Sequence, residues 1–508
     1  MTEVPSYGML IDGENRETGA WLEIRNPQDD SLVARVARGG IGEIDDAVAA
    51  AKRAFDSGVW AKRSPAERSR VMTDIAEKMS ESIEELVHLE MIANGATVRQ
   101  ATGFHVGIAI QHFSYFAELA ASYEFETALA PQSYPTLGQN IIRKEPIGVC
   151  GAISPWNFPL VLTLWKIGPA IAAGNSIVVK PDEKTPLSLL EFGRIAEECG
   201  LPAGVLNIVP GEGVDAGARL VEHPDVGKVA FTGSTEIGRE IMRSAADTIK
   251  RVTLELGGKS PSIVLDDADL RLAVDGVLFG CMFYSGQICE SGTRVLVPDS
   301  LHDEFVRRLI RRAKTIKLGP IDDWETDLGP VISAKQHQRV LDLIARGADE
   351  GAKVVLGGGI PDGEKFRSGF WIEPTILTEV TNDMKVAREE IFGPVMCVLR
   401  YSDKDEAVRI ANDSIYGLAA TIWSTDNARA LEFGEHLQAG TVWINDHHQV
   451  NPAAPFGGYK QSGIGRELGA HCLDEYTETK NVYVDLSGDL ESRPYDLLLS
   501  HDATTRSR

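Results

Sequence analysis

The sequence predicts an α/β protein of two doubly wound units, because strand-like and helix-like stretches alternate twice along the chain. Between about 146 and 258, short β-branched runs such as NSIVVKP and KVAFTG are each followed by a stretch of helical period. A second round of alternation runs from about 262 to 440. Gly and Pro punctuate most junctions, which keeps the runs short and the connections tight.

Taken in order, residues 8–36 read as short strands with turns between them, and Ile44 to Asn94 as helical, with Ile44, Val48 and Ala51 on one face. A further helical block covers roughly 98–123. IGVCGAIS then reads as a strand, WKIGPAIAAG as a helix, NSIVVKP as a strand and LSLLEFGRIAEECG as a helix stopped by Gly200. VLNIVPG, KVAFTG and VTLELGG are the next strands, separated by the helices DAGARLVEH and STEIGREIMRSAA. The second unit has helices at 301–317 and 334–349 and strands near VVLGG and GTVWIN. TKNVYVDL (479–486) lies beyond both units as a late strand, and 487–508 follows as a loosely structured tail carrying Leu497, Leu498 and Leu499. A ligand is expected in the cleft between the two units.

Composition narrows the function. The 508-residue chain carries a net charge of −23, which disfavours nucleic acid and anionic membrane as partners. MTEVPSYGML lacks the basic start and apolar run of a secretory signal, and no apolar run reaches the roughly 18 residues of a membrane span. The six cysteines are scattered with no CxxC pair, which is neither a disulfide framework nor a zinc site and points to a reducing cytoplasm. No metal is expected: His447 and His448 are adjacent and have no further ligands near them in sequence.

Several residues have the chemistry of a site, each with an ordinary alternative. Cys289, in YSGQICESGTRV, lies in a Gly- and Ser-rich turn placed for access, although a cysteine is equally at home as a small core residue, as Cys150, Cys199 and Cys397 are read. Glu255, in VTLELGGKSP, ends an apolar strand where burial raises a carboxyl pKa; a salt-bridged edge glutamate looks the same. Asn157, in SPWNFPL, is either a turn residue or an amide donor to an oxyanion. FTGSTEIG opens a helix after a strand, as a phosphate cradle does, but is not the GxGxxG fingerprint. Lys180 and Glu183, in VVKPDEKTP, fall just past a strand's carboxyl end, where such sheets bind nucleotides, or are surface charges.

Together the motifs SPWNFP, VVKPDEKTP, FTGSTEIG, LELGGKSP, SGQIC, EEIFGPV and PFGGYKQSGIGRELG, in this order, resemble the aldehyde dehydrogenase superfamily from about residue 8 to 486. Cys289 follows Glu255 by 34 residues, as in that family. The resemblance implies Cys289 as nucleophile, Glu255 as general base and Asn157 as oxyanion-hole amide. It implies Lys180 and Glu183 at the adenosine ribose, Gly213 and Gly217 at the adenine pocket, and Phe231, Gly233, Ser234 and Gly238 around the pyrophosphate turn. Ile153 and Trp156 border the cofactor, and Glu390 and Phe392 contact the nicotinamide ribose. Phe158, Val161, Trp165, Phe283, Val450 and Phe456 line the substrate tunnel.

The same resemblance implies three parts. A Rossmann-like cofactor domain takes 1–123 and 146–258, with 446–477 returning to it; a catalytic domain takes 259–445; and an arm of 124–145 and 478–486 joins subunits into a homodimer or homotetramer. The implied reaction oxidises an aldehyde through a cysteine thiohemiacetal and thioester that Glu255 hydrolyses with water. An apolar tunnel without Arg or Lys favours an uncharged aromatic or medium-chain aldehyde over a semialdehyde acid. Glu183 favours NAD over NADP, since its carboxylate repels a 2′-phosphate. Intact Cys289, Glu255 and Asn157 argue against a binding protein that merely keeps the fold, and Glu255 argues against an acylating, coenzyme A-dependent relative.

Overall fold

The computed structural model describes residues 4–499. Five parallel strands form the centre of the first sheet, in the spatial order Leu206–Ile208, Ser176–Lys180, Val149–Ile153, Val226–Thr232 and Arg251–Glu255. Chain order reverses between Val149–Ile153 and Val226–Thr232, so the crevice outside their carboxyl ends is a switch point of the kind that binds ligands. Val149–Ile153 and Ser176–Lys180 are buried at every residue, which is why they read as continuous rather than alternating apolar runs. Antiparallel strands cover both edges, Met9–Ile11 with Glu14–Arg16 on one side and Gly463–Ile464 on the other.

The helical region from 44 to 94 is three helices rather than one, Ile41–Ser57, Pro65–Glu81 and Ile83–Asn94. Gly58, at φ +76°, ends the first, and Ser64 with Glu67 forms a capping box that starts the second behind Pro65. The next helical block is continuous, but Ala101–Gly107 widens into a π-helix before Ile108–Ser122. Helix Pro159–Ala172 is buried on every side, wedged between the first sheet and the helices on its outer face.

The second sheet runs Lys353–Leu356, Thr375–Thr378, Val395–Tyr401, Arg294–Pro298, Pro261–Val264, Ala419–Trp423, Thr441–Ile444. All its neighbours are parallel except the first pair. The late strand Thr477–Asp485 pairs antiparallel along its whole length with Gly138–Pro146, which pairs in turn with Glu126–Ala128. A separate small sheet joins Ser6–Tyr7, Leu32–Ala37 and Trp21–Arg25. Among the described residues no helix is long and apolar enough to cross a membrane.

Candidate active site

Cys289 lies between helix Leu270–Met282 and strand Arg294–Pro298, on a loop wound tightly enough to be strained. Tyr284, Ser285 and Gly286 take φ values of +48°, +55° and +68° in succession. Two of these are not glycine, so the surroundings must hold them there. Tyr284 Oη donates to the Asn94 carbonyl at 3.0 Å, Ser285 Oγ to the Gly329 carbonyl at 2.7 Å, and Gln287 Oε1 accepts from the Ile332 N–H at 2.8 Å. A Cβ on Gly286 would stand 2.1 Å from the Gly393 carbonyl oxygen. The thiol is partly exposed and donates to Glu290 Oε2 at 3.1 Å. Burial, then Glu290, Glu255 and Glu390, push it well above the usual thiol range.

The loop that follows Glu255 meets this cysteine loop directly, since a Cβ on Gly258 would come within 2.3 Å of the Cys289 carbonyl oxygen. Glu255 is only 3% exposed, and neither of its carboxylate oxygens has a hydrogen-bond partner among the described residues. Burial and the neighbouring Glu467 push it well above the ordinary carboxylate range. Behind it Lys166 donates to Glu467 Oε1 and to Thr232 Oγ1, each at 2.7 Å. Asn157 Nδ2 donates to the Gln287 carbonyl at 2.9 Å, which fixes the amide beside the Cys289 loop and leaves its second N–H for another acceptor.

All six expected tunnel residues line one narrow cavity of about 50 Å³ that reaches Cys289. Phe158, Val161, Leu162 and Trp165 recur at helical spacing and present one face of helix Pro159–Ala172 and its N-cap. Trp165 Nε1 donates to His112 Nδ1 at 2.8 Å, and His112 Nε2 donates to the Val450 carbonyl at 3.2 Å, tying two walls together. Burial lowers His112 to about 4, so it serves as a neutral linker. The sequence reading missed Phe104, Ile108, Leu162, Ile288 and Glu290, which also line the cavity, as does His448. Phe104 arrives from the π-helical stretch and packs edge-on against Phe283 at 4.6 Å between ring centroids. His448 Nδ1 binds Glu290 Oε1 at 3.1 Å.

Of the expected cofactor residues, Trp156 and Ser234 line one cleft beyond the carboxyl ends of the first sheet's strands. A cleft of about 1050 Å³ is lined on one side by Trp156, Asp182, Lys184 and Ser234, and on the other by helix Ala334–Asp349 with Ile332 and Ser333. Ser234 caps helix Thr235–Ala245, and bare backbone precedes it: a Cβ on Gly233 would meet the Phe231 ring at 2.5 Å. Gly238 packs against Leu256, where its Cβ would lie 2.6 Å from Cδ2. Gly217 faces Lys180 and Ile153, whereas a Cβ on Gly213 would meet nothing within 4 Å. Glu183 is flanked by Lys184 Nζ at 2.8 Å and Lys180 Nζ at 3.6 Å. Burial tends to raise its pKa, but the two ammonium groups bring it below the usual value. Glu390 is pushed up to about 7 by burial and accepts the Gly258 N–H at 3.0 Å. Phe392, at φ +60°, stands edge-on to Trp156 with centroids 5.2 Å apart.

The chain matches the aldehyde dehydrogenase family profile over residues 14–482. It is 45% identical over 480 residues to betaine aldehyde dehydrogenase of Bacillus subtilis, covering 94% of this chain and 97% of that one. Its fold superposes on an NAD+ complex of aldehyde dehydrogenase from Bacillus cereus with a TM-score of 0.91 at 44% identity, covering 95% and 97% of the two chains. The NAD+ complex of betaine aldehyde dehydrogenase from Staphylococcus aureus gives 0.93 at 39% identity, covering 95% and 96%. A strained cysteine loop, a buried carboxyl, a narrow apolar cavity and a wide cleft thus meet on one scaffold, and this chain belongs to the aldehyde dehydrogenase family.

Proposed function

We propose that this enzyme oxidises an uncharged aromatic or medium-chain aldehyde to the carboxylic acid with NAD, through a thioester on Cys289. The observation that carries the substrate reading is the tunnel wall, which is apolar or aromatic except for Cys289, Glu290 and His448 and has no Arg or Lys to pair with a second carboxylate. Glu290 would repel such a carboxylate, which counts against semialdehyde acids.

Cys289 attacks the aldehyde carbon, and Asn157 with the Cys289 backbone N–H holds the oxyanion that forms. The nicotinamide of a bound NAD would supply the hydride acceptor. Glu255 then takes a proton from the water that hydrolyses the thioester; burial, which raises its pKa, makes its carboxylate a stronger base for that step. Ser234 and the helix it caps would hold the pyrophosphate, and Lys180 and Glu183 the adenosine ribose. Glu390 and Phe392 would hold the nicotinamide ribose, and Ile153, Trp156 and Gly217 would border the nucleotide. The fit is supported by Gly233, which has no room for a side chain beside the Phe231 ring and directly precedes Ser234 on the cleft wall.

We assign the first sheet to a cofactor domain, the second to a catalytic domain, and the sheet around Thr477–Asp485 to an arm that joins a homodimer or homotetramer. That strand is an edge strand with a mostly exposed face, open to pairing across a subunit boundary. A reducing cytoplasm suits the six free cysteines.

Steady-state kinetics on an aldehyde panel test the reading, with Cys289→Ala as the blank. Aromatic and medium-chain aldehydes should exceed ω-carboxy aldehydes in kcat/KM by about tenfold or more, the size of one repulsive contact. The opposite order would end the substrate assignment. One second reading has a specific basis: the aromatic walls of Phe158, Trp165, Phe283 and Phe456, with Glu290, are also suited to a quaternary-ammonium aldehyde, and solved relatives are named for betaine aldehyde. A trimethylammonium aldehyde in the panel separates the two.

A further inference from the structure

Glu290 follows the nucleophile directly and is tied down at both ends. Its Oε2 accepts the Cys289 S–H at 3.1 Å, and its Oε1 accepts from His448 Nδ1 at 3.1 Å. The carboxylate and imidazole are 9% and 3% exposed. His447 fixes the backbone beneath them: its Nε2 donates to the Glu290 carbonyl at 3.2 Å, and its Nδ1 accepts from Thr421 Oγ1 at 2.6 Å. Gly280 leaves room for that ring, since a Cβ there would lie 2.7 Å from His447 Cγ.

We propose that Glu290, held in place by His448, keeps Cys289 of the free enzyme as a protonated thiol and so shields the nucleophile from stray electrophiles. The proposal rests on the reading of Cys289 as nucleophile. Sulfur must carry its proton to donate the hydrogen bond. Ionising it would break that bond and set two anions 3.1 Å apart in a cavity lined by no Lys or Arg. The other charged groups nearby act in the same sense: Glu255 and Glu390 both disfavour the thiolate, and Lys166 is already engaged by Glu467 and Thr232. Glu290 itself stays ionised, because the hydrogen bonds from His448 and Cys289 outweigh the burial that would raise it. His448 thereby acts as a positioning residue, through Glu290.

Iodoacetamide inactivation of the full-length enzyme, followed from pH 6 to pH 10, tests this in the parent, Glu290→Gln and Glu290→Ala. Both variants should move the midpoint of the rate profile down by about one pH unit or more. Well below the midpoint, about tenfold more thiolate, each roughly threefold less nucleophilic, makes inactivation about threefold faster. An unchanged midpoint in both variants overturns the proposal. So does an upward shift or slower inactivation, which would make Glu290 an activator of the thiol. Mass spectrometry locates the adduct. A parent enzyme that loses activity without modification at Cys289 would instead overturn the nucleophile assignment on which the proposal stands.

Discussion

Glu255 and Glu183 are both half-buried or buried carboxylates, yet their surroundings drive them in opposite directions. Glu255 has no hydrogen-bond partner among the described residues and faces Glu467, so it binds a proton more readily than a free glutamate. Glu255→Gln should therefore keep a pre-steady-state burst of NADH while slowing the steady state at least about a hundredfold, the usual scale of general-base catalysis. Loss of the burst would give Glu255 an earlier role, on the thiol itself. Glu183 is flanked by Lys184 as well as Lys180, and Asp182 turns to Lys184, with Oδ1 3.2 Å from Nζ, rather than standing alone toward the cleft. Two ammonium groups weaken the repulsion of a 2′-phosphate that the sequence suggests for one carboxylate against one lysine. NAD should still be preferred to NADP, but by about 1 kcal/mol, or roughly tenfold or less in kcat/KM. Lys184→Ala should widen that ratio severalfold; a ratio that narrows would show that Lys184 does not compete for the phosphate.

At the scale of elements, the site depends on how closely loops can approach. Gly233 sits over the buried Phe231 ring, which has no free end to swing aside. Gly233→Ala should destabilise the enzyme by about 1–3 kcal/mol through overpacking and weaken NAD binding by about tenfold or more. Gly213→Ala, where the added methyl meets nothing within 4 Å, should leave the melting temperature unchanged. Thermal melts with and without NAD check both, and equal behaviour of the two variants would refute the crowding argument. Helical period was legible in sequence, and Gly200, at φ +85°, ends the helix that closes at Glu198 as expected; the breaks within 44–94 were not read, although the capping box of Ser64 and Glu67 that starts Pro65–Glu81 is a local signal for one of them. The π-helical widening at 101–107 had no such signal, since helical period alone does not separate a π turn from an α turn.

At the scale of the molecule, the tail beyond Asp485 bears on assembly. Arg493 pairs with Asp485, and Leu497 and Leu498 are 87% and 88% exposed on the single chain. Apolar side chains this open are suited to docking on a neighbouring subunit. Truncation after Leu486 should lower the sedimentation coefficient beyond what the lost mass explains, or change the kinetics. No change in either would make the tail dispensable. The alternation of strand and helix and the ordered glycine motifs were legible in the sequence itself, because period and turn chemistry act over a few residues, whereas the tunnel residues came from the family resemblance. Only the tertiary structure brought Gly258 against the Cys289 carbonyl, Glu467 behind Glu255, and His448 onto Glu290. These contacts join residues far apart in the chain. No local pattern encodes such contacts, because they arise when two sheets pack their loops into one cleft.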